Sequence, residues 1–374
     1  MFVTDGLLNQ LTASTRRFVR DNPKLVDNVF QQGTGMRILQ KSCKEPFTGG
    51  RIIADNFWFG VLPGGPSSMG SEFNITEPQV EQQKQFVPKE MYVNITLLKE
   101  EIQVFNTGPE QIFSLLKSRT ENAYAAMGAF MELGLYLNGI NANYTTNFNG
   151  LPEMLNDGST ASWDGNTYAN YGGIARSAVG AALNSVPVNV NGTIELAGTN
   201  GLEQTYMAAS YGPELQPNYG ITTQIAYSLI KNRFQTQQRF NDTQDPKIGF
   251  NALKFNNAML VWSRYVPGSY LFGGTTAGTA DPVAVQFVKQ MSGGALTAYP
   301  VPSGYTSGNS ETLWWMNATK PYINYYLSTN PEFGLGTTGY KPAQGNTKVA
   351  CQVLMIGAVT GEPRYHKQLY GITG

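Results

Sequence analysis

The chain has 374 residues, of which only 14% are charged, and its 26 basic and 26 acidic side chains cancel. That balance provides no global field for nucleic acid or an anionic membrane surface, and it leaves little repulsion between copies. A single histidine and two cysteines exclude metal centres built on paired histidines and any disulfide framework. No apolar run approaches the ~18 residues of a membrane span, and Met1 to Val19 lacks the apolar core of a secretion signal. Cys43 and Cys351 therefore read as free thiols of a reducing compartment. The 41 glycines and 12% aromatics call for a surface built from amides, hydroxyls and Tyr.

Residues 1 to 50 form a polar, locally basic lead-in. Arg16, Arg17, Arg20, Lys24, Arg37, Lys41, Lys44 and Arg51 outnumber Asp5, Asp21, Asp27 and Glu45. A short helix is expected from Pro23 to Gln32, stopped by Gly33 and Gly35. Arg51 to Leu62 is β-prone, and Phe86 to Val93 returns toward the next element. Between them lie Pro63-Gly64-Gly65-Pro66 and a polar run from Gln79 to Gln85. The result is a long two-stranded projection with too little apolar content for a core of its own. Isolated hairpins are marginal in water, so this one is expected to dock on another subunit.

Tyr92 to Leu98 alternates like a strand and leads into the longest periodic segment, Thr107 to Gly139. Thr107 and Glu110 have capping-box spacing, Pro109 occupies the first turn, and Asn138-Gly139 supplies a stop. Ile112, Leu115, Leu116, Ala123, Ala126, Met127, Phe130, Leu133 and Leu137 recur at mostly three- and four-residue steps. They predict a spine helix about 48 Å long with one apolar stripe that Arg119 alone interrupts.

From Asn141 to about Ser310 the pattern becomes short and mixed. Helical fragments are expected at Ala178 to Leu183 and Leu202 to Ser210, and an amphipathic helix at Gln224 to Asn232. Ile248 to Phe255 and Ala258 to Trp262 read as paired strands, and Gly273 to Ser310 as an inserted loop region. Leu313-Trp314-Trp315-Met316, Ile323 to Leu327 and Val349 to Ile356 read as three strands of one sheet covering the spine helix.

The inventory of chemical groups is thin. His366, beside Arg364 and Lys367, reads as a solvated or interface group rather than a catalytic base. Gly64-Gly65 and Gly273-Gly274 lack the following Gly-Lys-Ser/Thr of a phosphate loop. Glu153, Asp157, Asp164, Asp242 and Asp245 read as solvated loop acids. No residue is assigned a catalytic, cofactor-binding or metal-binding role, and no cofactor is expected.

Six fragments, in order, carry a resemblance. They are Gly49-Gly50-Arg51-Ile52-Ile53; Phe86 to Glu101 followed by Asn106-Thr107-Gly108 and the spine helix; Tyr171-Gly172-Gly173-Ile174-Ala175-Arg176-Ser177; and Ile221-Thr222-Thr223-Gln224 with Tyr227. Then come Gln238-Arg239-Phe240 with Gly249-Phe250 and Leu253-Lys254-Phe255, and finally Pro363-Arg364 with Gln368-Leu369-Tyr370-Gly371-Ile372-Thr373. Together they resemble the major capsid proteins of tailed bacteriophages with the Hong Kong 97-like fold. The stretch Leu271 to Ser310 is longer than the family's pattern.

The resemblance implies an α+β fold with an N-terminal arm (1–50), an extended loop (51–90), a peripheral domain (91–145 and 312–374) and an axial domain (146–311). It implies a structural protein, not an enzyme, assembling into hexamers and pentamers of an icosahedral head around double-stranded DNA. The implied partners are a separate scaffolding protein, a portal, a decoration or cement protein and non-specifically bound DNA, with no membrane. The implied location is the virion, after assembly in the bacterial host cytoplasm. Lys84 and Lys89 lie in the loop where some members cross-link a lysine to a neighbour's asparagine. A cellular encapsulin-type nanocompartment shell shares the fold, and a secreted carbohydrate-active or adhesin protein is the alternative from another class.

Overall fold

A computed structural model describes residues 33–47, 49–72, 75–98, 109–139, 144–235, 242–244, 251–272, 287–288, 290–291, 311–327, 332–334 and 348–373. The expected helix from Pro23 to Gln32, the Thr107 cap, Gln238-Arg239-Phe240 and most of Gly273 to Ser310 lie outside the described residues.

The spine is a single helix, Pro109–Tyr136. Its middle is amphipathic, with Glu121 and Asn122 exposed and Ala123 and Tyr124 buried, but from Met127 to Asn138 every residue is buried. One stripe was expected; the last third is instead enclosed on all sides. Gly134 permits this, because a Cβ there would stand 2.7 Å from the Phe148 ring and 2.8 Å from Met91 Cε. Each large side chain enclosed in this way contributes about 1.5–3 kcal/mol.

One side of the spine is covered by a five-stranded sheet. Its long strand, Lys348–Gly361, pairs antiparallel with Lys89–Leu98 over ten residues, and also with Ile323–Leu327 and Glu332–Gly334. Lys44–Pro46 adds a parallel edge to Ile323–Leu327. The N-terminal and C-terminal thirds of the chain are thereby joined in one sheet.

Another face receives the helix Thr34–Cys43. Gly33 caps the start of this helix and Gly35 lies in its first turn. Their missing side chains let its first turn rest on the spine: a Cβ on Gly33 would stand 2.5 Å from Glu132 Oε2, and one on Gly35 would stand 2.5 Å from the Tyr136 hydroxyl. The buried Glu132 carboxylate accepts the N–H groups of Gly35 (3.0 Å) and Met36 (2.6 Å), two of the donors a helix start leaves unpaired. Ser263 Oγ donates to the same carboxylate at 3.0 Å. Burial raises its pKa, and these hydrogen bonds counteract the rise.

The second sheet has seven strands in the order Val188–Gly192, Lys367–Ile372, Glu311–Met316, Tyr219–Thr222, Ala258–Trp262, Asn251–Phe255 and Asp242–Gln244. The Leu313 to Met316 strand belongs to this sheet and not to the five-stranded one, contrary to the expectation of one C-terminal sheet. Its alternation explains why. Trp314 and Met316 join the core that contains the spine, while Leu313 and Trp315 join a second core against the helices Leu202–Ala208 and Gln224–Gln235. With both faces buried, the run is continuously apolar and its sheet partner cannot be read from periodicity. Asn251–Phe255 and Ala258–Trp262 do pair, antiparallel, as expected.

Candidate assembly interface

The projecting loop is a hairpin of Ile53–Trp58 with Glu81–Phe86, antiparallel with Ile53 opposite Phe86 and Asp55 opposite Lys84. Its return strand therefore falls mostly inside the polar run, and of the stretch Phe86 to Val93 it takes only Phe86. Cross-strand polar contacts hold it: Gln83 Nε2 donates to Asn56 at 3.0 Å and Trp58 Nε1 to Glu81 at 2.7 Å. One face, with Ile53, Phe57, Lys84 and Phe86, is buried against the body. Beyond Trp58 and Glu81 the loop leaves the body. Val61 is 91% exposed, Leu62 66%, Met69 107% and Ile75 92%. A Cβ on Gly64, Gly65 or Gly70 would find nothing within 4 Å. Apolar side chains held in water at the end of a projection mark a surface meant for another molecule.

Lys84 fastens the base of this hairpin. Its side chain is fully buried, and Nζ contacts Asp55 at 3.0 Å, the Gly361 carbonyl at 3.0 Å and Glu362 at 3.5 Å. The ammonium also lies 5.3 Å from the Phe57 ring centre and 5.9 Å from that of Tyr171. This amine is engaged within its own subunit, so it is not presented for cross-linking. Lys89 is half-buried in the strand paired with Lys348–Gly361.

The Gly172-Gly173 pair accounts for the motif at 171–177. Both glycines have positive φ (56° and 81°) in the two-residue turn between Asn170–Tyr171 and Ile174–Ala175. Gly172 also meets the hairpin base: its carbonyl accepts Gln85 N–H at 2.9 Å, and a Cβ would stand 2.7 Å from that of Lys84. Phe86 and Tyr171 contact edge-on at 5.2 Å between ring centres, and the Tyr171 hydroxyl accepts Gly361 N–H at 3.0 Å. Three segments distant in sequence thus converge on one buried joint.

Arg176 and Glu153 lie beneath that joint. Arg176 is buried and donates to the carbonyls of Tyr168 (2.9 Å), Leu183 and Glu153. Its guanidinium lies 5.2 Å from the Tyr171 ring centre, and burial lowers its pKa to about 10. Glu153 is a buried acid, not the solvated one expected. Burial pushes its pKa up to about 8 against the opposing pull of Arg176 and a hydrogen bond from Gly172 N–H, and Oε2 has no hydrogen-bond partner.

The remaining expected surface groups divide. Asp157 orders an exposed turn through Ser159 and Thr160, which holds its carboxyl below the usual range despite partial burial. Asp164 is buried with Asn166 as a partner. Asp242 lies at the edge of the seven-stranded sheet, and Asp245 lies outside the described residues. His366 is buried, contrary to the solvated reading. Nδ1 accepts Asn317 N–H at 3.1 Å while Nε2 faces the Tyr322 carbonyl at 3.0 Å, which assigns the Nε2–H tautomer. Burial depresses its pKa to about 4. Cys43 is a free, buried thiol raised to about 12 by desolvation, and Cys351's side chain lies outside the described residues. No group of three potential metal ligands occurs, and no helix is long and apolar enough to cross a membrane, among the described residues.

No known family's sequence profile matches the chain, and no curated protein sequence does. Solved structures do. The capsid asymmetric unit of cyanophage A-1(L) superposes with a TM-score of 0.58 at 11% identity, covering 91% of this chain and 93% of that one. The capsid of a native GTA particle superposes at 0.51 with 8% identity and 90% of each chain covered. The holo-SrpI encapsulin complex from Synechococcus elongatus PCC 7942 reaches 0.46 at 8% identity, over 90% of this chain and 87% of that one. The first two span nearly the whole chain: the fold is the α+β Hong Kong 97-like capsid fold.

Proposed function

We propose that this chain is the major capsid protein of a tailed bacteriophage. It self-assembles into the hexamers and pentamers of an icosahedral head that encloses double-stranded DNA. The observation that carries this reading is the projecting hairpin of a capsid-type fold, clamped at its base by Lys84 and bearing exposed apolar side chains at its tip. Each subunit would cover part of its neighbour, so that many weak contacts sum to a closed shell.

The reading divides the chain into an arm (1–50), the extended loop (51–90), a peripheral domain around the spine and an axial domain around the seven-stranded sheet. The pairing of Glu311–Met316 and Lys367–Ile372 supports counting those strands with the axial sheet. Its partners are a separate scaffolding protein, a portal, a decoration or cement protein and DNA bound without sequence preference. Its place is the virion, after assembly in the host cytoplasm, and its role is structural rather than enzymatic. Particles purified after co-expression with the neighbouring genes test this: nuclease-protected double-stranded DNA inside them is expected. Particles holding protein cargo and no DNA would favour a nanocompartment shell instead.

A further inference from the structure

A groove of about 880 Å³ runs between the spine helix and the strand Lys89–Leu98, within the ~300–1,000 Å³ range of small-molecule sites. Its third wall is Phe287, Gln290 and Met291, from the Leu271 to Ser310 stretch that exceeds the family's pattern. That wall is anchored. Phe287 meets Phe130 edge-on at 5.4 Å and Tyr265 at 6.3 Å between ring centres, and Val288 and Met291 are buried. Glu90, Tyr92 and Asn94 alternate along one exposed face of the strand, with Tyr92 61% exposed. Asn122, Thr146 and Gln290 add exposed hydrogen-bonding groups beside the apolar Ala125, Ala126 and Phe130. Asn147 also lines the groove and is only 2% exposed. Its Nδ2 donates to the carbonyls of Gly134 (3.1 Å) and Leu137, which leaves Oδ1 buried without a partner. Such an orphaned acceptor is costly until a donor reaches it.

We infer that this groove binds an uncharged oligosaccharide. Three features of the lining select that class. The amides of Asn94, Asn122 and Gln290, with the Glu90 carboxylate, offer the mixed donors and acceptors that adjacent sugar hydroxyls require. The exposed Tyr92 ring and the apolar lining suit the C–H faces of a pyranose, which pack on an aromatic plane. Charge excludes the obvious rivals: no Lys or Arg lines the groove among the described residues, whereas Glu90 does, so phosphate, sulfate and nucleic acid are disfavoured. The groove is formed within one subunit, and the inference does not depend on the shell reading above.

The test applies the full-length chain, both as particles and as unassembled subunits, to an array of neutral oligosaccharides built from glucose, galactose, mannose and their N-acetyl forms. Sulfated heparin fragments serve as the charged comparison. At least one neutral sugar should be retained and heparin should not. Tyr92→Ala should weaken that binding roughly tenfold, while Tyr92→Phe, which keeps the ring, stays close to wild type. Trp262→Ala, at an aromatic 42% exposed outside the groove, should change nothing. Should Tyr92→Ala not fold, Gln290→Ala on the opposite wall is expected to weaken the same sugar. Retention of heparin alone, of no neutral sugar in either state, or of a neutral sugar equally by wild type, Tyr92→Ala and Gln290→Ala overturns the inference. A benzophenone amino acid at position 290 supplies the remaining outcome: with no sugar present, its cross-linking to another copy or another protein would make the groove a protein contact and overturn the inference as well. Shell formation is scored separately on the same preparations, so either reading can fail alone.

Discussion

Replacing Lys84 by Met should loosen the base of the projecting hairpin without unfolding the subunit. The substitution keeps an unbranched apolar stem between Phe57 and Tyr171 and removes only the ammonium that holds Asp55, Glu362 and the Gly361 carbonyl. Removing one partner of a buried ion pair costs about 3–5 kcal/mol when the other charge is stranded. Here Asp55 and Glu362 retain 21% and 16% side-chain exposure and can recover water, and the Tyr171 hydroxyl still reaches Gly361. The cost should therefore fall at about 2–3 kcal/mol, equivalent to roughly a 30- to 150-fold rise in local opening. Hydrogen exchange on purified capsomers reads this directly. The amides of Glu81–Phe86, Gln85 above all because its N–H is held by Gly172, should lose protection by about that factor, while the enclosed end of the spine is unchanged. Protection of Glu81–Phe86 within about threefold of wild type would refute the clamp, because a 2 kcal/mol contact cannot vanish unseen.

Four further outcomes follow. His366 is held neutral at about 4 against an ordinary 6.5, so the unfolded chain binds the extra proton between those values; stability present above pH 6.5 should fall by about 3 kcal/mol as pH drops through 4, and His366→Gln should flatten that limb of a melting-temperature profile. Glu153 has the opposite sign: with its pKa raised to about 8, the folded chain keeps a proton that the unfolded chain releases, so stability declines as pH rises from about 4.5 through 8. Glu153→Gln should abolish that alkaline decline, and a wild-type profile flat from pH 6 to 9 would contradict the burial argument. Leu133→Asp places a charge in the fully enclosed stretch of the spine and should eliminate soluble protein, as judged by the soluble fraction on expression. Deleting Gly60 to Gln79 and closing the hairpin with a short turn should leave circular dichroism and melting unchanged while particles disappear from a sucrose gradient, since the large apolar side chains removed (Val61, Leu62, Met69 and Ile75) are exposed and add nothing to the core.

Much of the architecture is legible in the residues because it rests on local periodicity. The 3.6-residue recurrence marks the spine, and the alternation of Tyr92 to Leu98 marks a strand of the sheet that covers it. What escapes is whatever depends on partners far along the chain. Lys84 and Gly361 are 277 residues apart, and nothing local distinguishes this lysine from a solvated one on the same polar strand. Glu132, Glu153, Arg176 and His366 likewise become buried only because tertiary neighbours supply their hydrogen bonds. Nothing local says why positions 33 and 35 are glycines until the spine helix is seen to occupy the space their side chains would fill. The hairpin's return strand was hidden for the opposite reason: Glu81–Phe86 pairs through amides and charges, so it has no apolar alternation to detect.

The central claim is that this chain builds a closed shell from overlapping copies of itself. Electron cryomicroscopy of particles from cells expressing the full chain with its neighbouring genes tests it most directly. The account predicts icosahedral shells of hexamers and pentamers in which the hairpin of each subunit, from Ile53 to Phe86, lies across an adjacent subunit. A chain that stays monomeric under those conditions, or shells in which the hairpin folds back on its own subunit, would contradict it.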